Sequence, residues 1–166
     1  MKNPASLPPP PGNRILVNLF ASGLVLLILL GCLQFDSHLP FALDAVPSPV
    51  YWFFLLAGVA LIALAEAAFL ARGGATGAPA DPTRRLVIIG IYRWVRNPIY
   101  LGGASVLLGV AFARQSPTLL VVACLFLPVM HLSVVRKEES RMEHDFGDEY
   151  LTYKRRVPRW IPRPPK

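Results

Sequence analysis

Two short stretches of this 166-residue chain hold most of the side chains able to do chemistry. One runs from Arg84 to Tyr100 and sets Arg84, Arg85, Tyr92, Arg93, Trp94, Arg96, Asn97 and Tyr100 among apolar residues. The other is Arg136-Lys137-Glu138-Glu139-Ser140-Arg141, followed by Phe146-Gly147-Asp148-Glu149-Tyr150. Aromatic faces such as Tyr92, Trp94 and Tyr100 can hold a cation or an adenine ring. Glu138 and Glu139 can accept hydrogen bonds from hydroxyl or ammonium groups. A helix opening at Asn97-Pro98 adds free backbone N–H groups and a partial positive charge, which suit an anion. A sulfonium ligand with a carboxylate, an amine, a ribose and a purine would use every one of these features. Each residue also has a structural reading. Arg and aromatic residues crowd membrane edges, and a glutamate pair beyond a span is often a solvated helix face.

Other groups are less specific. Glu66 interrupts an apolar run, where an ionisable side chain is costly. Snorkelling, or pairing with Arg72, would answer that cost. His131 precedes Glu138 by seven residues, a spacing that aligns on one face of an α-helix. It reads either as a packed core histidine or as a proton acceptor. Cys32 and Cys124 lie in apolar runs without metal-ligand neighbours and read as buried free thiols; no metal site is expected.

The elements that must position these residues are apolar helices. Hydrophobic residues make up 54% of the chain and charged ones only 16%, where a soluble domain carries about 25% charged. That excludes a disordered chain, a disulfide-stapled module and most soluble enzymes. Residues 1–13 hold five prolines and no apolar run, and read as a disordered tail without a signal-peptide pattern. Residues 14–166 read as one domain, with spans at 15–33, 51–70, 98–113 and 117–135. Only Arg114-Gln115-Ser116 separates the last two spans, which makes them a tight helical hairpin. Asn97 and Ser116 suit N-caps, and Pro98 and Pro117 suit first helical positions.

The expected fold is therefore all-α: a polytopic membrane protein of four transmembrane helices with a cytoplasmic helical tail. Of 17 Lys and Arg residues, all but Arg114 fall on one side of that arrangement, which places both termini in the cytoplasm. The net charge of +7 then reflects loops facing anionic lipid, not nucleic acid. Small residues recur at Ser105, Gly109 and Ala113 and at Ala57, Ala60, Ala63, Ala67 and Ala68, as helix packing in lipid requires.

Three motifs in order carry a family resemblance. They are Gly90-Ile91-Tyr92-Arg93-Trp94-Val95-Arg96-Asn97-Pro98-Ile99-Tyr100-Leu101-Gly102, then Glu138-Glu139, then Phe146-Gly147-Asp148-Glu149-Tyr150 with Tyr153 and Arg155-Arg156-Val157-Pro158. With them, residues 82–162 resemble the isoprenylcysteine carboxyl methyltransferases and related phospholipid methyltransferases, integral membrane enzymes that use S-adenosylmethionine. The resemblance implies cofactor contacts at Arg84, Leu86, Val87, Tyr92, Asn97, Pro98, Ile99, Tyr100 and Glu138, and assigns no catalytic acid or base. Asn97 stands where many members carry His; it can hydrogen-bond but cannot become cationic. Val134 stands where the eukaryotic prenylcysteine enzymes carry an Arg that meets the substrate carboxylate.

The expected activity is methyl transfer from S-adenosyl-L-methionine to a lipophilic carboxylate, thiol or amine at the cytoplasmic face of a membrane. A bacterial inner membrane fits a compact chain with no organelle signal. The expected partners are a lipophilic small-molecule substrate and membrane lipid. Two other readings share these residues. Membrane reductases using NADPH carry a similar Arg-X-Pro-X-Tyr segment, and a non-enzymatic scaffold could use the basic tail to bind anionic lipid.

Overall fold

A computed structural model describes residues 27–39, 43–71 and 86–164. The expected N-terminal tail, the opening of the first span, Arg72 and Arg84 lie outside the described residues. Within them the chain is helical: α1 (Leu27–Asp36), α2 (Ser48–Ala71), a 3-10 turn (Gly90–Arg93), α3 (Pro98–Ala113), α4 (Pro117–Met130), a π turn (His131–Val135) and α5 (Arg136–Arg156).

Two helical stretches, α2 and the run Pro117–Arg156, are long and apolar enough to cross a membrane, while α1 and α3 are shorter apolar helices. Only 17% of each long apolar window is buried inside the protein. Trp52, Phe53, Leu56 and Val59 on α2, and Val121, Leu125 and Val129 on α4, project outward. Apolar helices that leave such surface uncovered suit lipid as their solvent.

The hairpin forms at the expected residues. Pro98 and Pro117 are first helical residues of α3 and α4. The Ser116 hydroxyl accepts from the Leu119 N–H at 3.0 Å, an N-cap bond. It also donates to Asp36, whose second oxygen accepts from the Thr118 N–H at 3.1 Å. A carboxylate from the end of α1 thus sits at the positive end of α4. Gln115 turns the corner at a φ of 53°.

Close helix approach seats α3 on α2. A Cβ on Gly102 would stand 2.8 Å from the Gly58 carbonyl oxygen, and one on Gly58 would stand 2.6 Å from that of Gly102. These two glycines bring the backbones together, and the Ser105 hydroxyl donates across the interface to the Phe54 carbonyl at 2.7 Å. Of the small residues singled out from the sequence, Ser105 and Gly109 serve this seam, whereas Ala60, Ala63 and Ala67 are exposed.

Beyond Met130 the path differs from expectation. α4 and the tail form one continuous helical run, widened at His131–Val135 and broken only at Gly147 (φ 53°, ψ −127°). The π turn follows Pro128, whose missing N–H weakens the ladder. The Ser133 hydroxyl donates to the Val129 carbonyl at 2.6 Å within the same stretch. A π turn needs one extra residue to return to the same face, so His131 aligns with Glu139 and not with Glu138 as the α-helical spacing predicts. Both cysteines are free, but Cys124 is exposed on α4, so only Cys32 is a buried thiol.

Candidate functional site

The site grows from the end of the hairpin where α3 begins and α4 passes into α5. Segment 86–89 crosses there with alternating side chains. Leu86 packs with Tyr150, Tyr153 and Val157 of the tail, while Val87 packs with Ala65 and Ala68 of α2 and with Tyr92. Both Leu86 and Val87 are therefore core residues on opposite sides of the strip, and only their backbones remain for a ligand. Ile99 packs on the same cluster as Val87, and Pro98 is buried. Asn97 occupies the N-cap position of α3 without capping it. Its amide instead donates to the Arg159 carbonyl at 3.5 Å.

Tyr100 and Glu138 meet directly. The phenol lies 3.1 Å from each carboxylate oxygen. Burial lifts the Glu138 carboxyl above its ordinary range, against smaller lowering by the Tyr100 hydrogen bond and the Arg141 charge. Tyr92 is buried, edge-on to Phe69 with ring centroids 5.3 Å apart. Burial raises its phenol pKa, and the nearby charges of Glu66 and Glu138 push the same way. Trp94 turns outward, 42% exposed.

The adjacent Glu139 is held differently. Its carboxylate accepts from Arg96 at 2.7 Å and from Arg159 at 2.8 and 2.5 Å, the second a two-pronged fork. Arg96 also donates to the Tyr150 hydroxyl at 3.3 Å. The remaining Arg159 nitrogen stands 3.4 Å from the His131 ring, which meets Trp160 edge-on. Arg159 belongs to an extended strap after α5, pinned beside the 3-10 turn by two backbone bonds. The Arg96 N–H donates to the Pro158 carbonyl and the Arg163 N–H donates to the Trp94 carbonyl, each at 3.0 Å. The Tyr153 hydroxyl donates to the Tyr92 carbonyl at 2.8 Å and ties α5 to the same turn.

Of the residues expected at a cofactor site, Tyr92, Tyr100 and Glu138 come together, with Asn97 beside the strap. Arg84 lies outside the described residues. Sequence reading missed Arg159, for which a proline-rich tail gives no periodic signal, and the division of labour within the glutamate pair. Among the described residues no group of His, Cys, Asp and Glu is arranged to hold a metal.

The sequence is similar to known proteins over the same stretch. A phospholipid methyltransferase family model covers residues 53–149, more than half the chain. The chain is 36% identical over 80 residues to protein-S-isoprenylcysteine O-methyltransferase of Mus musculus and 35% identical over 80 residues to that of Homo sapiens. Each match takes in 48% of this chain and 28% of the relative, so the matched stretch is little over a quarter of those proteins. A nickel-cobalt-cadmium resistance protein of Alcaligenes xylosoxydans xylosoxydans is 31% identical over 78 residues, 47% of this chain and 36% of that protein. No solved structure matches. With a family model that spans the whole hairpin and both Tyr100 and Glu138, the chain belongs to the phospholipid methyltransferase family, with distant homology to the isoprenylcysteine methyltransferases.

Proposed function

We propose that the protein transfers a methyl group from S-adenosylmethionine to a lipophilic acceptor at the cytoplasmic face of a membrane. In this reading the chain spans four times with both termini inside, as the distribution of its cations favours. The observation that carries the reading is the Tyr100–Glu138 pair. A half-buried carboxylate whose close partner is a single phenol keeps acceptor capacity for the hydroxyl and ammonium groups of the cofactor. Tyr100 offers aromatic surface beside it with the buried Tyr92 behind, and α3 opens there with its N-terminal N–H groups.

Bound S-adenosylmethionine supplies an electrophilic methyl on a sulfonium, and its leaving group departs neutral. The chain's own contribution is then mainly alignment, with reacting atoms held about 3–3.5 Å apart in line. Glu138 would fix polar groups of the cofactor, the aromatic cluster would exclude water, and the Arg96–Glu139–Arg159 clamp would hold both walls in register. An acceptor arriving as a carboxylate or thiolate needs no base. An amine acceptor must lose a proton, for which Glu66, His131 and water are the candidate acceptors.

Titration of S-adenosylhomocysteine into the purified protein tests the assignment. Binding should weaken by about 10- to 100-fold in Glu138→Ala, the cost of a lost charged hydrogen bond, and also in Tyr100→Ala. Unchanged affinity in both variants overturns the site. A reductase would instead oxidise NADPH in the presence of an enone lipid, and a scaffold would be indifferent to either change.

A further inference from the structure

We propose that the strap after α5 is an interfacial anchor. Its tip, Trp160-Ile161-Pro162, seats in the bilayer at the boundary between acyl chains and headgroups, and Arg93 and Arg163 are the cations for lipid phosphates there. The proposal rests on the reading that α4 crosses a bilayer, and not on methyl transfer.

Two backbone bonds build the tip. The Arg96 N–H donates to the Pro158 carbonyl, and the Arg163 N–H donates to the Trp94 carbonyl. The pinned residues are two apart on the 3-10 turn side and five apart on the strap, so residues 159–162 form a loop between the pins. Arg159 reaches inward from this loop to Glu139. Trp160 meets the His131 ring edge-on, with centroids 6.0 Å apart. Ile161 is left at the tip, 70% exposed. Pro162 stiffens it, because a proline has a fixed φ and confines the residue before it to extended backbone. An apolar group presented this way has little conformational freedom to lose on docking.

His131 fixes the depth of the loop. It lies four residues before Val135, the end of the apolar run from Pro117, or about 6 Å along the axis at 1.5 Å per residue. Trp160 therefore stands level with the last apolar turn of the run, the turn that also carries the exposed Leu132. Indole rings, with an apolar body and one polar N–H, gather at membrane–water interfaces. Trp94, joined to Arg163 by its carbonyl, adds a second exposed indole. Arg93 and Arg163 are both exposed beside these residues. An apolar tip flanked by arginines matches acyl chains lying under phosphates. A second copy docking tip to tip would set arginine against arginine, which disfavours it. Because Arg159 belongs to the same loop, seating the tip also steadies one arm of the Glu139 clamp.

Depth is the test. The full chain is placed in phosphatidylcholine–phosphatidylglycerol vesicles with a nitroxide label at one cysteine. Oxygen, which concentrates among acyl chains, and a nickel chelate, which stays in water, compete to relax the label. Cys124, exposed on α4, is the lipid-facing control, while the buried Cys32 stays unlabelled. Ile161→Cys is the probe and His144→Cys, on the exposed side of α5, the water control, both combined with Cys124→Ala. Preference for oxygen over the chelate should be at least about tenfold greater at 161 than at 144, as burial of an isoleucine-sized group gives. Adding Arg93→Glu/Arg163→Glu should cut that preference by at least about fivefold, the worth of one cation near anionic lipid. A label at 161 as open to the chelate as one at 144, with Cys124 still in lipid, overturns the proposal and leaves the membrane reading standing. Shielding of 161 from both reagents would mean that protein covers the tip, and overturns it too, as does an unchanged preference in the charge-reversed variant. Water exposure at Cys124 would instead remove the membrane reading, and the anchor with it. An unchanged melting temperature reports that each variant is folded.

Discussion

Glu138 and Glu139 are neighbours in sequence with opposite surroundings. Glu139 is buried and clamped by two guanidinium groups, one from the start of α3 and one from the strap. Its acceptor capacity is spent inside the protein. Glu138, one step around the helix, meets a single phenol, and burial raises its carboxyl pKa. The difference separates architecture from availability. An acid that holds walls together must be saturated, whereas one that receives a ligand must be left partly unmet at some cost in stability.

The sharpest way to break this contrast is to remove the saturated partner. Glu139→Ala leaves Arg96, whose side chain is only 8% exposed, beside a second unmatched guanidinium. The expected loss is about 3–5 kcal/mol, read as a lower melting temperature in detergent. Glu138→Gln should do the reverse: equal or higher thermal stability, with S-adenosylhomocysteine affinity reduced by about 10- to 100-fold. A variant that melts early and binds normally would exchange the roles assigned to the two acids.

Acidity sharpens the contrast further. A carboxyl whose folded pKa lies above its unfolded value binds extra protons in the native state. The Glu138 contribution to stability therefore improves as pH falls through the range between the two values, and is lost as pH rises above the folded one. Ligand binding, which needs the ionised form, should weaken over the same descent. Opposite slopes for melting temperature and affinity in the wild type, both flattened in Glu138→Gln, are the expected outcome. The smallest effect belongs to the tie between α5 and the 3-10 turn. Tyr153→Phe removes its hydrogen bond to the Tyr92 carbonyl and should cost about 1 kcal/mol, with little change in affinity.

Much of this geometry was legible where local chemistry decides it. Pro98 and Pro117 mark helix starts because they lack an N–H to leave unpaired, and Ser116 caps because its hydroxyl reaches the Leu119 N–H. The short loop forces α3 and α4 to be antiparallel, so the meeting of Tyr100 with Glu138 follows from chain connectivity. Other features depend on contacts that no period encodes. The π turn rotates His131 onto the Glu139 side, undoing an alignment that ideal α-helical spacing predicts. Asn97 makes no capping bond, and its amide meets the Arg159 carbonyl that the strap brings beside it. Ala65 and Ala68 pack α2 against the Tyr92 ring, a contact between sequence-distant residues.

The unbroken passage from α4 into α5 has a mechanical consequence. An apolar rod that is too long or too short for its bilayer adjusts by tilting. Because both glutamates ride on the polar extension of that rod, a change in tilt would swing them relative to Tyr100 on α3 and Arg96 just before it. Acyl-chain length would then act as a control dial. Turnover in vesicles of graded thickness should peak at one length, and a flat profile would show that the π turn works as a universal joint between the apolar and polar arms of the rod.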